Sequence, residues 1–90
     1  MSVEINIPPS LQPFANDTRS TQVSGSTVAA CLEELIKRYP RLRSRLLNRN
    51  GKLLKSINIF INGEAAYPAE LSRPVSDGDK IHISYPVMGG

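Results

Sequence analysis

Apolar and polar residues alternate in three stretches of the chain with the period of two that is typical of a β-strand with one buried face. The apolar positions are Val3, Ile5 and Ile7 in the first stretch, Ile57, Ile59 and Ile61 in the second, and Ile81, Ile83 and Tyr85 in the third. Phe60 falls on the opposite face of the second strand, which makes it a candidate exposed aromatic. His82 likewise falls on the solvent side of the third strand. The alternation therefore predicts three strands, each with one face in the core.

Between the first and second of these strands the apolar spacing changes to that of an amphipathic helix. Its stripe consists of Val28, Leu32, Leu35, Ile36 and Tyr39. Ser26 or Thr27 can cap the helix by accepting a backbone amide hydrogen bond, and Pro40 ends it because the residue before a proline is disfavoured in the helical region. A second short helical turn is expected from about 42 to 47, with three leucines facing inward: Leu42, Leu46 and Leu47.

The remaining segments are predicted from their turn residues. A strand at about 18–23 should pair with the first strand, and the segment 10–17 between them is expected to be an extended loop pinned by Leu11 and Phe14. Asn62-Gly63 is a strong hairpin signal because both residues tolerate positive φ, and the returning strand is expected at 64–67. Pro8-Pro9 ends the first strand, since proline cannot donate to a sheet ladder.

This order of elements predicts an α+β protein with the β-grasp, or ubiquitin-like, arrangement. In that arrangement a mixed sheet of four to five strands carries one main helix packed on one face, which buries all the apolar sets described above. We expect residues 1–85 to form this domain and residues 86–90 to form a flexible C-terminal tail.

The composition excludes several classes of function. The chain has 90 residues, of which 40% are hydrophobic and 21% charged, as expected for one globular domain. Without a long apolar run or a leader-like N-terminus, we expect a cytoplasmic protein with no membrane partner. A single cysteine, Cys31, and a single histidine, His82, cannot form an internal disulfide or a metal cluster of ordinary spacing. Cys31 is expected to be a buried hydrophobe and His82 a surface residue.

The main electrostatic feature is a basic stretch from Lys37 to Lys55, which contains eight of the eleven lysines and arginines and no acid. Such a stretch is typical either of the solvated side of a helix and loop or of a patch that binds nucleic acid or an acidic protein. Few aromatic residues accompany it, and the net charge of the chain is only +3, which makes nucleic acid an improbable partner.

The sequence ends on Gly89-Gly90 after a strand-like segment. Because glycine has no Cβ, two terminal glycines can pass through a cleft too narrow for any side chain. Such an ending suits delivery of the Gly90 α-carboxylate into the active site of another protein. A carboxylate becomes an acylating agent only when an oxygen is replaced by a good leaving group, which ATP supplies by forming an acyl-adenylate. Gly90 would then carry the reacting atom without being a catalyst.

These residues resemble the ubiquitin-like sulfur carriers. The most specific likeness lies in the Asp77-Gly78-Asp79 turn and in the ending Pro86-Val87-Met88-Gly89-Gly90. The turn at Gly25 into a helix that ends at Tyr39-Pro40, and the hairpin around Asn62-Gly63, also sit where such carriers have theirs. The family includes the small subunit of molybdopterin synthase, the carrier of the thiamine pathway and a carrier of a cysteine-synthesis route.

The resemblance implies a cycle in which other proteins do the chemistry. An adenylyltransferase similar to ubiquitin-activating enzymes uses ATP to adenylate Gly90, a sulfur donor displaces AMP, and the carrier leaves as a C-terminal thiocarboxylate. A sulfur-accepting synthase then takes the sulfur. The chain would be a co-substrate and not an enzyme, with no catalytic side chain, no bound cofactor and no metal.

Docking to these partners is expected to use the outer face of the sheet and the base of the tail, where an apolar cluster would adjoin a free end. The candidate residues are Phe60, Tyr85, Pro86, Val87 and Met88. Tyr85 is equally compatible with a core position, because it continues the alternation of Ile81 and Ile83.

The loop from Pro8 to Arg19 and the linker Gly51-Lys52-Leu53 look most like the cysteine-synthesis carrier, and the molybdopterin synthase subunit shares the same ending. Two other classes stay open at this point. One is a ubiquitin-like modifier that couples Gly90 to lysines, and the other is a binding module that works through the basic stretch. Deletion of Gly90 would inactivate a carrier or a modifier but would leave a basic module intact.

Overall fold

A computed structural model describes residues 2–85, in which five strands form a single mixed sheet. The strands are β1 (Ser2–Asn6), β2 (Ser20–Ser24), β3 (Asn58–Ile61), β4 (Glu64–Ala65) and β5 (Lys80–Ser84). Their order across the sheet is β2-β1-β5-β3-β4. β1 and β5 are parallel, and every other neighbouring pair is antiparallel. The predicted mixed sheet of the β-grasp arrangement is confirmed.

The main helix α1 (Val28–Arg38) packs on one face of this sheet. Its first turn is capped by Thr27, whose hydroxyl accepts a hydrogen bond of 3.1 Å from the amide of Ala30. The helix ends before Pro40, as the sequence predicted. Its buried face consists of Val28, Cys31, Leu32, Leu35 and Ile36, whose side chains are each at most 3% exposed. The predicted stripe is confirmed, except that Tyr39 is only half-buried.

The chain continues into a 3-10 turn (Pro40–Leu42) and the short helix α2 (Arg43–Leu46). Leu42, Leu46 and Leu47 are buried there, as predicted from their spacing. These leucines close the core at the C-terminal end of α1. The arginines between them remain exposed, so the basic stretch lies on the outside of this corner.

Two local predictions were wrong. The segment 10–17 is not an extended loop, because Gln12–Ala15 forms a 3-10 turn that buries Ala15 and holds Phe14 half-buried. The strand that returns from the hairpin ends at Ala65 and does not continue to 67. Ala66 is 2% exposed, and its carbonyl accepts a hydrogen bond of 3.0 Å from Nε of Arg73. The backbone amide of Ala66 still donates a hydrogen bond of 2.9 Å to the carbonyl of Ile59, but the ladder ends there because the Ala66 carbonyl is bonded to the Arg73 side chain and Pro68 has no amide hydrogen to donate.

Gly25 is required by the close approach of β2 to the start of α1. A Cβ placed on Gly25 would lie 2.9 Å from both the backbone nitrogen and the sulfur of Cys31. Real Cβ atoms do not approach backbone atoms so closely, so a larger residue would push the helix away from the strand. The turn and the buried thiol are therefore packed against each other.

Side chains link the hairpin turn to the turn that precedes β5. Asn62 has a positive φ of 52° and Gly63 one of 86°, as a tight hairpin turn of this kind requires. The side-chain Nδ2 of Asn62 donates a hydrogen bond of 3.0 Å to Oδ1 of Asp79, and the side-chain Oδ1 of Asn62 accepts one of 2.9 Å from the backbone amide of Lys80. Oδ2 of Asp79 also accepts a hydrogen bond of 2.8 Å from the amide of Ser76. The hydrogen bond from Asn62, followed by that from Ser76, lowers the pKa of the Asp79 carboxyl.

This link predicts a pH-dependent effect of Asp79→Asn on stability. Because the folded-state pKa of Asp79 lies below its unfolded value of about 3.9, the ionised carboxylate stabilises the fold above that pH, and the contribution is lost as the pH falls through the folded pKa. Urea unfolding should show Asp79→Asn to be less stable than the wild type near neutral pH, with the difference shrinking in acid. Glu64→Gln, a change in the same hairpin, is the matched control. A loss that is equal at both pH values would show that geometry, and not charge, is responsible.

Candidate docking site at the base of the C-terminal tail

β5 lies between β1 and β3 in the sheet and leads into the C-terminal tail. Ser84, the last residue of β5, lies opposite Asn58 of β3, and Ile83 lies opposite Ile59. The tail follows directly after Tyr85. Its residues Pro86, Val87, Met88, Gly89 and Gly90 lie outside the described residues, so their expected roles and the boundary of the tail at 86 stay predictions.

The end of the sheet from which the tail departs is also formed by the loop after β1. β1 and β5 are parallel with Asn6 opposite His82, so both strands run toward the same end. β2 begins there too, because Ser20 lies opposite Asn6. The segment 7–19 therefore lies at the end of the sheet that leads to the tail.

Phe60 lies on the face of the sheet opposite α1, as predicted. In the strand register it is flanked by His82 on β5 and Ala65 on β4. The Phe60 and His82 rings are 6.5 Å apart between centroids and tilted by 57°, and Phe60 is half-buried rather than fully exposed. The neighbouring outer-face residues Asn6 and Asn58 are polar. Phe60 is thus the large apolar side chain of this face within the described strands.

Tyr85 lies on the other side of the sheet. It is half-buried and packs against the hydrophobic core, in line with Ile81 and Ile83. The expected cluster of Phe60 and Tyr85 is therefore divided between the two faces, with the end of β5 between them. A partner that contacts both residues has to wrap around the base of the tail.

A groove near the tail was not predicted from the sequence. It has a volume of about 490 Å³ and is lined by Leu53, Leu54, Ile57, Asn58, Tyr67 and Pro68, with Lys55 and Glu70 at its edge. Tyr67 is 66% exposed, the most exposed large hydrophobic residue in the described part of the chain. Asn58 joins this groove to the end of β5, because it also lies opposite Ser84. The groove is a second surface that a tail-binding partner could contact.

Cys31 is not a site residue in this arrangement. It is fully buried on the core-facing side of α1, and burial raises the pKa of its thiol, which disfavours the reactive thiolate. His82 is exposed on the outer face of the sheet, as predicted. Within residues 2–85 no three metal-ligating side chains are grouped closely enough to hold an ion. In that same part of the chain, no helix has the length and apolar content needed to cross a membrane.

The strand order, the single helix on one face and the strand that leads into the tail define a ubiquitin-like β-grasp protein. The sequence model of the ThiS family matches residues 5–90, and the chain belongs to this family. The match begins within β1 and includes β2 to β5 and the residues of the tail. The family expected from the resemblance is confirmed.

Three relatives are informative. The chain is 32% identical, over an alignment of 93 positions, to the sulfur carrier protein CysO of Mycobacterium tuberculosis, with all of both chains covered. The crystal structure of SAMP1 from Haloferax volcanii superposes with a TM-score of 0.89 at 32% identity, again with all of both chains covered. A chain in the crystal structure of the Amycolatopsis orientalis BexX/CysO complex gives a TM-score of 0.89 at 29% identity and covers 98% of this chain and 99% of that one.

Proposed function

We propose that this protein is a sulfur carrier whose C-terminal glycine, Gly90, is converted to a thiocarboxylate. The observation that carries the proposal is the identity of 32% to the sulfur carrier CysO over the full length of both chains. The ThiS family match, which extends through Gly89 and Gly90, supports it. The fold is compatible with this role, because β5 brings the chain to the tail at one end of a rigid sheet.

The reaction we propose has two balanced steps. An oxygen of the Gly90 carboxylate attacks the α-phosphorus of ATP, the bond to the β-phosphate oxygen breaks, and an acyl-adenylate and pyrophosphate are formed. A sulfur nucleophile at the oxidation level of hydrosulfide then attacks the acyl carbon, AMP leaves, and a proton is released. The product is the thiocarboxylate, whose sulfur is nucleophilic near neutral pH.

In this proposal the chain presents Gly90 to its partner proteins and provides the surface that they recognise. Its buried thiol lies too deep to act as the sulfur nucleophile, since Cys31 has no exposed surface. An adenylyltransferase supplies ATP chemistry, and a synthase accepts the sulfur. The A. orientalis structure supports dependence on partners, because there a similar carrier is in a complex with another protein. Contacts by Phe60, Tyr85, Pro86, Val87 and Met88, and a cytoplasmic location, belong to the same proposal.

We propose that the sulfur is passed to a route of cysteine synthesis. This assignment rests on the loop Pro8 to Arg19 and the linker at Gly51, together with the full-length similarity to CysO. Labelled sulfide supplied with the activating system of the same cells should then appear in cysteine. Label in molybdopterin or in thiamine instead would assign the carrier to one of those pathways.

A second candidate is protein modification. The chain is 37% identical over 65 residues, 72% of its length, to small archaeal modifier protein 1 of H. volcanii. A modifier uses the same activated Gly90, but the acceptor is a lysine amine, which displaces AMP and forms an isopeptide bond. The two functions therefore differ only in the species found attached to Gly90.

The intact mass of the untagged protein purified from its own cells distinguishes these outcomes. We expect a species heavier by one oxygen-to-sulfur exchange, which fragmentation should localise to Gly90. Lysine-linked adducts to other proteins would favour the modifier. If only the carboxylate is found when the native activating enzyme, ATP and a sulfur source are supplied, the carrier proposal is wrong.

A further inference from the structure

Two arginines of the basic stretch stack on one aromatic ring. Phe14 sits in the 3-10 turn between β1 and β2, half-buried and anchored by its buried neighbours Leu11 and Ala15. Cζ of Arg45 lies 4.3 Å from the centre of the Phe14 ring, and Cζ of Arg41 lies 5.1 Å from it. Both distances are within the range of cation–π contact. We call Phe14, Arg41 and Arg45 the arginine pair site.

Other cations of the same corner already have partners. Lys37 pairs with Glu34 at 3.7 Å, and Arg43 pairs with Glu33 at 3.3 Å. Arg38 donates hydrogen bonds to β2, at 2.6 Å to the hydroxyl of Thr21 and at 2.8 Å to the carbonyl of Gln22. Arg41 and Arg45 form no ion pair within residues 2–85. Their charge is therefore available to an external anion.

The geometry of the pair is suited to that purpose. Arg41 and Arg45 are four residues apart across the 3-10 turn and α2, and like charges at this spacing repel each other. Both guanidinium groups lie close to the ring, and within residues 2–85 neither of them donates a side-chain hydrogen bond, so their N–H donors are unused there. An oxyanion between or beside them would gain charge-assisted hydrogen bonds and relieve the repulsion.

The arginine pair site includes a residue of the segment at the end of the sheet that leads to the tail. Phe14 belongs to the segment 7–19, which occupies the end of the sheet that leads to the tail. Tyr39, which precedes the turn of Arg41, contacts the same segment through a hydrogen-bond distance of 3.2 Å between its hydroxyl and that of Thr18. The segment that carries Phe14 and the turn that carries Arg41 are thus held together near this end of the sheet.

We propose that the arginine pair site binds carboxylates of an acidic segment on the protein that receives the tail. This inference rests on the proposed function for the nature of the partner. Nucleic acid is disfavoured because both guanidinium groups approach the Phe14 ring, which hinders the stacking of bases on it, and because few other aromatic residues accompany the basic stretch. A short acidic peptide has to reach only two guanidinium groups.

Binding of a hexaglutamate peptide to the full-length protein, followed by NMR of the arginine Nε–H groups and the Phe14 ring protons, tests the site. We expect shifts at these groups, and a loss of affinity of about tenfold or more in Arg41→Gln/Arg45→Gln, because two charge-assisted contacts disappear. Arg49→Gln/Lys52→Gln removes the same charge from the same stretch and is the matched control, for which a change of less than about twofold is expected. Phe14→Leu keeps both charges but removes the ring, and should also weaken binding.

Three results would overturn the inference. They are an absence of peptide binding to the wild type, an equal loss in the control, and tighter binding of a single-stranded oligonucleotide that the same arginine changes abolish. The last result would assign the surface to nucleic acid. Because the assay does not involve Gly90, its failure leaves the carrier proposal untouched, and failure of the mass experiment leaves peptide binding measurable.

Discussion

Removal of Gly90 is expected to abolish formation of the thiocarboxylate while leaving the fold intact. The deletion moves the terminal carboxylate back by one residue, about 3.3–3.6 Å along an extended chain. Displacements of about 1 Å from the reacting position can cost about 100-fold in rate, so a shift of this size should reduce the oxygen-to-sulfur exchange below detection. The measurement is the intact mass after incubation with ATP, a sulfur source and an extract of the native cells.

Ser84→Ala is the matched control for this deletion, because it alters the last residue of β5 but keeps the length of the tail and both terminal glycines. It should retain most of the exchange. A variant with one glycine added after Gly90 places the carboxylate one residue too far and should fail like the deletion. If the deletion variant instead accumulates the exchange on Gly89 at the wild-type rate, the partner does not measure the length of the tail, and the expected dependence on Gly90 is wrong.

The sheet and the main helix could be predicted from the sequence because their signals are periodic. Ile59 and Ile83 mark their strands by alternation, and both are at most 2% exposed in the core. Leu32 and Leu35 mark α1 by their spacing. Periodicity follows from geometry that repeats at every residue, so it survives without knowledge of the tertiary contacts.

The 3-10 turn at Phe14 was missed although its signal was present. Leu11 and Phe14 are three residues apart, the spacing that a 3-10 turn brings to one side, and Pro13 is compatible with the first turn of a helix. The turn residues Asn16 and Asp17, which both adopt positive φ, outweighed that spacing in the prediction. The early end of β4 depends on the bond from the Arg73 side chain to the Ala66 carbonyl, and no periodic pattern in the sequence marks such a contact.

The surfaces that adjoin the tail could be predicted only in part. Phe60 was found because alternation reports which face a strand residue occupies. The groove at Tyr67 and the stacking of Arg41 and Arg45 on Phe14 combine segments separated by about 10 to 30 positions of sequence, and no spacing rule connects them. Such sites are defined by the tertiary structure alone.

Phe60→Ala is expected to weaken recognition by the activating partner by about 30-fold, the effect of losing about 2 kcal/mol at an aromatic interface residue. The reason is that Phe60 presents the large apolar surface of an outer face whose neighbours Asn6, Asn58 and His82 are polar or charged. The measurement is the carrier concentration that gives half-maximal formation of the thiocarboxylate in the native extract. Thermal unfolding of the variant should verify that β3 remains folded.

Two further variants make the result specific to the outer face. Asn6→Ala changes the same face on the other side of His82, outside the groove, and should shift the half-maximal concentration by less than about threefold, as most interface positions do. Tyr67→Ala removes the exposed ring of the groove that Tyr67 and Asn58 both line. If Tyr67→Ala produces the large loss and Phe60→Ala does not, the partner approaches along the groove rather than across the sheet. In that case the base of the tail is recognised from the side of Leu53 and Ile57, and Phe60 serves only to shield the outer face of β5.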